Sequence, residues 1–267
     1  MRLKIDSQFA FEADAPTDVL LQFEAADIPE QTLLSSDTQL EETQHSARIA
    51  ADERIGQRIW LRADGRVSVR YRAKVEIERQ VAQIDTLDQL PPHLLPGTVV
   101  PYLFDSRYCQ ADRFQSFAHE RFGELSGGRR VAAIRDWIAD NFTYAPGASD
   151  QQTGAIDSFV ERRGICRDYA HVLIALARAS TIPARYVSCY APGVTPQDFH
   201  AVAEVFLADP AHEEGGTWQI IDATGMASAR DTVKIGVGRD AADVSFMTSF
   251  GPSTFLEKSI EVREEKD

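Results

Sequence analysis

The spacing of hydrophobic residues changes along the chain, and the first part alternates between apolar and polar positions. The alternation is clear in "RLKIDSQFAFE" at 2–12 and in "RIWLRADGRVSVRYRAKVEIE" at 58–78. A period of two is typical of strands that bury one face. Asp64 and Gly65 interrupt the second run, and an Asp-Gly pair is a strong hairpin signal. We therefore predict a β-rich unit in which 58–78 forms two strands around a turn.

A proline-rich stretch, "LDQLPPHLLPGTVVPYLFDS", follows this unit. It is predicted to be a connecting segment, because proline interrupts both sheet ladders and helices. Beyond it the apolar spacing becomes helical, with Val131, Ile134, Ile138 and Phe142 on one face of "GRRVAAIRDWIADNF". A second helix is predicted over "GAIDSFVERRG", with Gly164 as its stop.

The next helix is predicted from about Cys166 to Ala179, and Pro183 lies just past its end. It is apolar nearly all round, which is typical of a buried central helix. Three strands are predicted after it, over "ARYVSCY", "HAVAEVFL" and "TWQIID", and two more over "DTVKIGVG" and "TFLEKSIEVR".

These elements predict an α+β protein of three parts. Residues 1–85 form an all-β N-terminal domain, and residues 86–110 form the proline-rich connector. Residues 111–267 form an α+β domain in which the central helix packs on an antiparallel sheet.

Composition narrows the classes of partner and the cellular compartment. With 28 basic and 41 acidic residues the net charge is −13, which argues against nucleic acid and anionic membranes as partners. Neither an apolar run of about 20 residues nor a signal-peptide pattern is present. The cysteines are three, an odd number, and none forms a C-x-x-C pair, so a disulfide framework or structural zinc site is not expected. We expect a cytoplasmic protein with free thiols.

Three titratable residues stand at the ends of predicted elements. Cys166 opens the central helix, His200 opens "HAVAEVFL", and Asp222 closes "WQIID". Catalysis by a thiol needs a nucleophile, a base for its proton and a group that orients the base. We expect the three side chains to converge at one edge of the sheet.

The start of a helix suits a nucleophilic cysteine. A helix N-terminus carries unpaired N–H groups and about half a positive charge, and both favour the thiolate. The N–H of Cys166 would also point at an oxyanion that forms on a bound carbonyl. Asp168, in the first turn, is expected to cap the helix.

The segments "RGICRDYAHVLIALARASTIPARYVSCY", "DFHAVAEVFL" and "WQIIDATG" resemble the core of the transglutaminase-like superfamily, the papain-like thiol enzymes. More narrowly, "YLFDSRYC", "FTYAPGASD" and "VGRDAADV" resemble bacterial members that carry a β-rich N-terminal domain. The resemblance implies a papain-like fold and a Cys–His–Asp triad at Cys166, His200 and Asp222. It further implies amide chemistry through a thioester, either hydrolysis or acyl transfer to an amine, on a peptide or protein substrate and without a cofactor.

Two positions qualify the resemblance. Many family members have a tryptophan two residues after the histidine, where this chain has Val202. A second oxyanion donor is unassigned, with Tyr144 as a weak candidate.

Other readings of these residues stay open. His171, 5 residues after Cys166, is expected to be a packed histidine, and Cys189 a core residue; Cys109 has no evident basic partner. A metal site built from Cys166, Cys189, His171 and His200 lacks any recognised ligand spacing. A non-catalytic peptide-binding or assembly module with the same fold is the alternative to an enzyme. Neither the choice between hydrolysis and transfer nor the oligomeric state follows from the sequence.

Overall fold

Two antiparallel sheets and a layer of helices stack on one another in the structure, a computed structural model that describes residues 1–51 and 55–265. The strands are, in chain order, β1 (Arg2–Leu21), β2 (Gln31–Leu40), β3 (His45–Ile49), β4 (Arg58–Ile77), β5 (Thr143–Tyr144), β6 (Arg163–Gly164), β7 (Ala184–Tyr190), β8 (His200–Ala208), β9 (Gly216–Ile221), β10 (Val233–Gly238), β11 (Met247–Ser249) and β12 (Ser253–Glu264). The α-helices are α1 (Gln115–Phe122), α2 (Gly127–Asn141), α3 (Ala155–Glu161) and α4 (Cys166–Ala179).

The hairpin predicted at Asp64-Gly65 is wrong. β4 continues through this point as one strand over Arg58–Ile77, and both of its halves pair with β1. A two-residue hairpin turn of type I′ needs positive φ at both central residues, whereas only Gly65 has one, at 78°. The ladder slips here, with Ala13 opposite Gly65 and Thr17 opposite Ala63. The pair therefore marks a bulge that bends the sheet and leaves its direction unchanged.

The first sheet is completed from the far end of the sequence. β1 pairs with β4 on one side and with β12 and β11 on the other, so that Leu3 lies opposite Glu264. β2 and β3 both pair with the outer side of β4. The division into 1–85, 86–110 and 111–267 stays a prediction. However, β11 and β12, which follow residue 246, belong to the same sheet as β1–β4.

The second sheet has the order β10-β7-β8-β9, and helix α4 covers one of its faces. Ala201 and Ala203 of β8 belong to the same apolar cluster as α4, and their small side chains allow the helix to lie close to the strand. Tyr190 of β7 and Val233 of β10, by contrast, join the apolar core of the first sheet. The buried character predicted for α4 is confirmed, since 12 of its 14 residues are buried.

Four short 3-10 helices carry the chain between the sheets and α1. They span Ile84–Thr86, Pro92–Leu94, Val100–Leu103 and Ala111–Phe114. Within the described part of the chain, the helices are all too short or too polar to cross a membrane.

Candidate active site

The first turn of α4 is held by a carboxylate that folds back over the preceding loop. Asp168 is fully buried, and its Oδ2 accepts hydrogen bonds from Ile165 N at 2.8 Å and from Ser149 Oγ at 2.6 Å. A Cβ on Gly164 would lie 2.5 Å from Asp168 Cβ, so only glycine fits there. Asp168 therefore caps the helix, as predicted. This arrangement presents Cys166 as the first helical residue, with 9% of its surface exposed.

His200 and Asp222 come together as the sequence predicts. β8 and β9 are neighbours, and His200 Nε2 lies 3.0 Å from Asp222 Oδ2, with the N–H donating to the carboxylate. His200 Nδ1 has no hydrogen-bond partner among the described residues. Cys166 is the other polar neighbour of the ring and interacts with it directly. The order of the three side chains is thus thiol, imidazole, carboxylate.

A tight turn after β9 fixes the carboxylate of Asp222. Oδ1 accepts from Thr224 N at 2.8 Å and from Thr224 Oγ1 at 2.7 Å. Oδ2 accepts from Ala227 N at 2.8 Å as well as from His200. Asp222 therefore both caps its own turn and binds the histidine. Thr224 was missed in the sequence analysis, although "DATG" carries the Asp-x-Thr pattern of such turns.

The environment favours the charged forms of both partners. Burial alone would lower the pKa of His200, but the hydrogen bond to Asp222 and the adjacent Cys166 outweigh it and raise the pKa to about 9. Burial alone would raise the pKa of Asp222, but His200 and Thr224 lower it below 3.8. The imidazolium therefore persists at neutral pH and is lost only as the pH rises through about 9.

Tyr144 lies beside the thiol. β5 and β6 form a two-residue parallel pair in which Tyr144 is opposite Gly164, and Ala145 N donates to Gly164 O at 2.8 Å. The Tyr144 hydroxyl contacts both the backbone and the side chain of Cys166. Burial, reinforced by the neighbouring Cys166, raises the pKa of Tyr144 to about 12. The hydroxyl therefore stays protonated at neutral pH and can donate a hydrogen bond.

The loop that leads into His200 is held by the last strand, a contact that no sequence pattern indicated. Gln197 Nε2 donates to Val262 O at 2.9 Å, and Val262 N donates to Gln197 Oε1 at 2.6 Å. Asp198 forms an ion pair with Lys258 and lies near enough to Tyr144 to raise its pKa further. β12 therefore helps to set the position of the histidine.

The remaining candidates are packed in the core. His171 is fully buried and stacks on Tyr108 at 5.2 Å between ring centroids, and burial holds its pKa well below 6.5. Cys109 and Cys189 are fully buried, and burial raises the pKa of each thiol. Val202 faces a small apolar cluster with Val187. Within the described residues, groups of three or more His, Cys, Asp or Glu side chains that could hold a metal ion are absent.

The central helix on an antiparallel sheet, with a cysteine at its first residue, defines the papain-like α+β class. The family model of the transglutaminase-like superfamily matches residues 116–223, which include all three candidate residues. The crystal structure of a protein from Cytophaga hutchinsonii, described as a candidate cysteine protease, is similar over the whole chain. It has 34% sequence identity and a TM-score of 0.90, covering 100% of this chain and 92% of the other. The chain belongs to the transglutaminase-like superfamily.

Two curated relatives match a smaller part. An uncharacterized protein of Mycobacterium leprae is 29% identical over 122 residues, covering 44% of this chain and 42% of the relative. An uncharacterized protein of Mycobacterium bovis is 33% identical over 128 residues, covering 43% of this chain and 40% of the relative. The chain thus matches about two fifths of the length of these relatives.

Proposed function

We propose that the protein is a thiol enzyme that cleaves peptide-type amides through a thioester on Cys166, with His200 as the base and acid and Asp222 as the orienting group. The observation that carries the proposal is the placement of the His200 ring. Its Nε2 is bound to Asp222, Cys166 interacts with the ring, and Nδ1 has no hydrogen-bond partner among the described residues. The packed His171 also has an unpartnered Nδ1, but its Nε2 accepts from Ala241 N and burial holds its pKa well below 6.5. The carboxylate on Nε2 and the thiol beside the ring therefore distinguish His200.

The reaction follows from this order of groups. The imidazolium of His200 holds the proton of Cys166, and the Cys166 thiolate attacks the amide carbonyl, forming a C–S bond while the carbonyl π electrons move onto oxygen. The Cys166 N–H donates to that oxyanion. As the oxyanion collapses, the C–N bond breaks and His200 gives its proton to the leaving amine. Neutral His200 then takes a proton from water, the hydroxide attacks the thioester, and the acid product leaves as the thiolate is restored.

Hydrolysis is favoured over transfer to an amine. The support is the Cytophaga hutchinsonii protein, described as a candidate cysteine protease, with which the whole chain can be superposed. We propose peptides or proteins as the substrates. A cytoplasmic location remains part of the proposal.

Alkylation of the cysteines tests the proposal. Iodoacetamide is expected to modify Cys166 faster than Cys109 or Cys189, and to do so well below pH 7, because His200 is positively charged at every pH below about 9. In His200→Ala this charge is missing, and the rate at Cys166 below pH 7 should fall at least about tenfold. Peptide mass spectrometry from pH 4 to 10 measures each site. A Cys166 that reacts equally in both proteins would favour the non-catalytic module.

We further propose that the Tyr144 hydroxyl, which lies beside Cys166, is a second donor to the oxyanion. Tyr144→Phe is then expected to lower the rate of thioester formation roughly 100-fold. The alkylation rate of Cys166 should change little, since no oxyanion forms in that reaction. Stopped-flow acylation by p-nitrophenyl acetate measures the first quantity. Acylation that is unchanged or faster in the variant would mean that the hydroxyl only covers the thiol, and Tyr144 would lose this role.

A further inference from the structure

Strand β9 forms one edge of the second sheet, and within the described residues its backbone pairs only with β8. Phe206 lies opposite Trp218, and Phe206 N donates away from β9, to Pro183 O at 2.9 Å. In an antiparallel ladder, hydrogen-bonded pairs alternate with pairs whose backbone N–H and C=O groups point away from each other. Phe206 and Trp218 form a pair of the second kind. The N–H and C=O groups of Trp218 and Ile220 therefore point outward from the sheet.

A cleft of about 230 Å³ runs along this edge. It is lined by residues 218–222 of β9 and the turn after it, by residues 79–82 of the segment that follows β4, and by Arg135 of α2. Because this segment forms no backbone hydrogen bond with β9 in the described part of the chain, the outward groups face the cleft unpaired. The cleft ends at Asp222, the carboxylate that binds His200.

Arg79 supplies a buried positive charge to the same cleft. Its side chain is 9% exposed, and Nη1 donates to Ala229 O at 2.8 Å and to Thr232 O at 2.9 Å. The carboxylate of Glu30 lies 3.8 Å from Nε, too far for a hydrogen bond, and Nη2 has no hydrogen-bond partner. Buried donors without partners are rare in folded proteins and cost free energy. Nη2 is enclosed in this structure, so a ligand carboxylate would recover this free energy once the guanidinium turns toward the cleft.

From these features we infer that the cleft binds an extended peptide, which adds a strand to the edge of β9 and places a carboxylate side chain against Arg79. Strand addition uses the outward backbone groups of Trp218 and Ile220, and the arginine selects an acidic residue. As a site for substrate the cleft rests on the proposed function, whereas peptide binding itself does not.

A fluorescein-labelled heptapeptide of alternating valine and threonine with a central glutamate is the probe, titrated by fluorescence anisotropy into the Cys166→Ala variant, which cannot turn it over. One matched probe carries glutamine in the centre. Two others are N-methylated at every second residue, one at the odd-numbered set of positions and one at the even-numbered set. Strand addition uses only one set, so methylation of that set should weaken binding at least tenfold and methylation of the other set should not. The glutamine probe should also bind about tenfold more weakly.

Ile220→Pro, combined with Cys166→Ala, tests the protein side. The substitution removes an outward N–H but no hydrogen bond of the ladder, and an edge strand tolerates such a proline. It should weaken binding of the unmethylated probe at least tenfold. Thermal unfolding checks that this variant is folded. If it is not, the N-methylated probes still test strand addition. Absence of saturable binding up to millimolar probe, equal effects of the two methylated sets, or full competition by free glutamate would each overturn the inference. A protein that is active on other amides but gives one of these results would retain the proposed function and lose only this site.

Discussion

Cys166→Ala is expected to reduce the hydrolysis of p-nitrophenyl acetate to close to the uncatalysed rate, a loss on the order of 1,000-fold or more. An activated ester is suitable because it acylates a reactive thiol whatever the natural substrate. Under the proposed mechanism His200 and Asp222 act through the thiol, so that no nucleophile is left once it is removed. In the wild-type protein, mass spectrometry after rapid acid quench should show one acetyl group, on the peptide that contains Cys166.

Cys109→Ala provides the matched control. Cys109 is equally a free thiol but fully buried, with its Sγ directed at His171 O. The rate per folded molecule should stay within a factor of about three of the wild type, because this thiol is not part of the acylation site. Retention of ester hydrolysis in Cys166→Ala, or its loss in Cys109→Ala, would refute the assignment of the nucleophile.

Glu204→Ala is expected to lower the free energy of unfolding by about 3–5 kcal/mol, measured by urea denaturation. Glu204 is fully buried in β8, where Arg185 Nε lies 2.7 Å and Lys234 Nζ 2.5 Å from its carboxylate. Burial alone would raise the pKa of Glu204, but the two cations lower it to about 2. Without the carboxylate, Arg185 is left buried and unpaired, and Lys234 keeps only Glu30.

The matched control is Glu161→Gln, which breaks a surface pair. Glu161 lies 2.9 Å from Arg163, but both side chains are about half exposed, and little change in stability is expected. If the two substitutions had similar effects, the buried network would not hold β8 and β10 together. Glu204 is 4 residues beyond His200 on the same strand, so ester hydrolysis by the folded Glu204→Ala protein would also report any displacement of the histidine.

The elements predicted best are those whose neighbours in space are also neighbours in sequence. Helix α4 was predicted at its observed ends because a glycine turn precedes it and Pro183 follows, and β7, β8 and β9 each carry a distinct apolar run. The Asp64-Gly65 error came from a local turn signal that was overridden by a partner far away in the sequence, since β1 pairs with both halves of β4. The position of β12 beside β1 could not be predicted, because alternating apolar and polar residues indicate a strand but not the strand with which it pairs.

At the site, the types of residue were predictable and the geometry was not. Three separated residues at element ends identified the thiol, imidazole and carboxylate, but which nitrogen of His200 binds Asp222 depends on the register of β8 and β9. Tyr144 could only be a weak candidate, because the two-residue pairing of β5 with β6 leaves no periodic pattern. Glu204 pairs with cations on β7 and β10 of its own sheet, and Arg79 binds the loop before β10. The only signal in the sequence was a charged residue inside the apolar run "HAVAEVFL".

The pairing of β1 with β12 has a consequence for synthesis on the ribosome. β1 is synthesised before β12, the partner of its residues 3–13, and most of the described chain lies between the two strands. Until β12 has been made, the nascent chain presents an unpaired edge on one of its two longest strands, which is a template for pairing with other chains. Gln197 and Asp198 lack their contacts with β12 during the same interval, so the loop before His200 acquires its final position only after translation has passed Lys258 and Val262. A truncated chain would thus be both prone to aggregation and short of a correctly placed histidine.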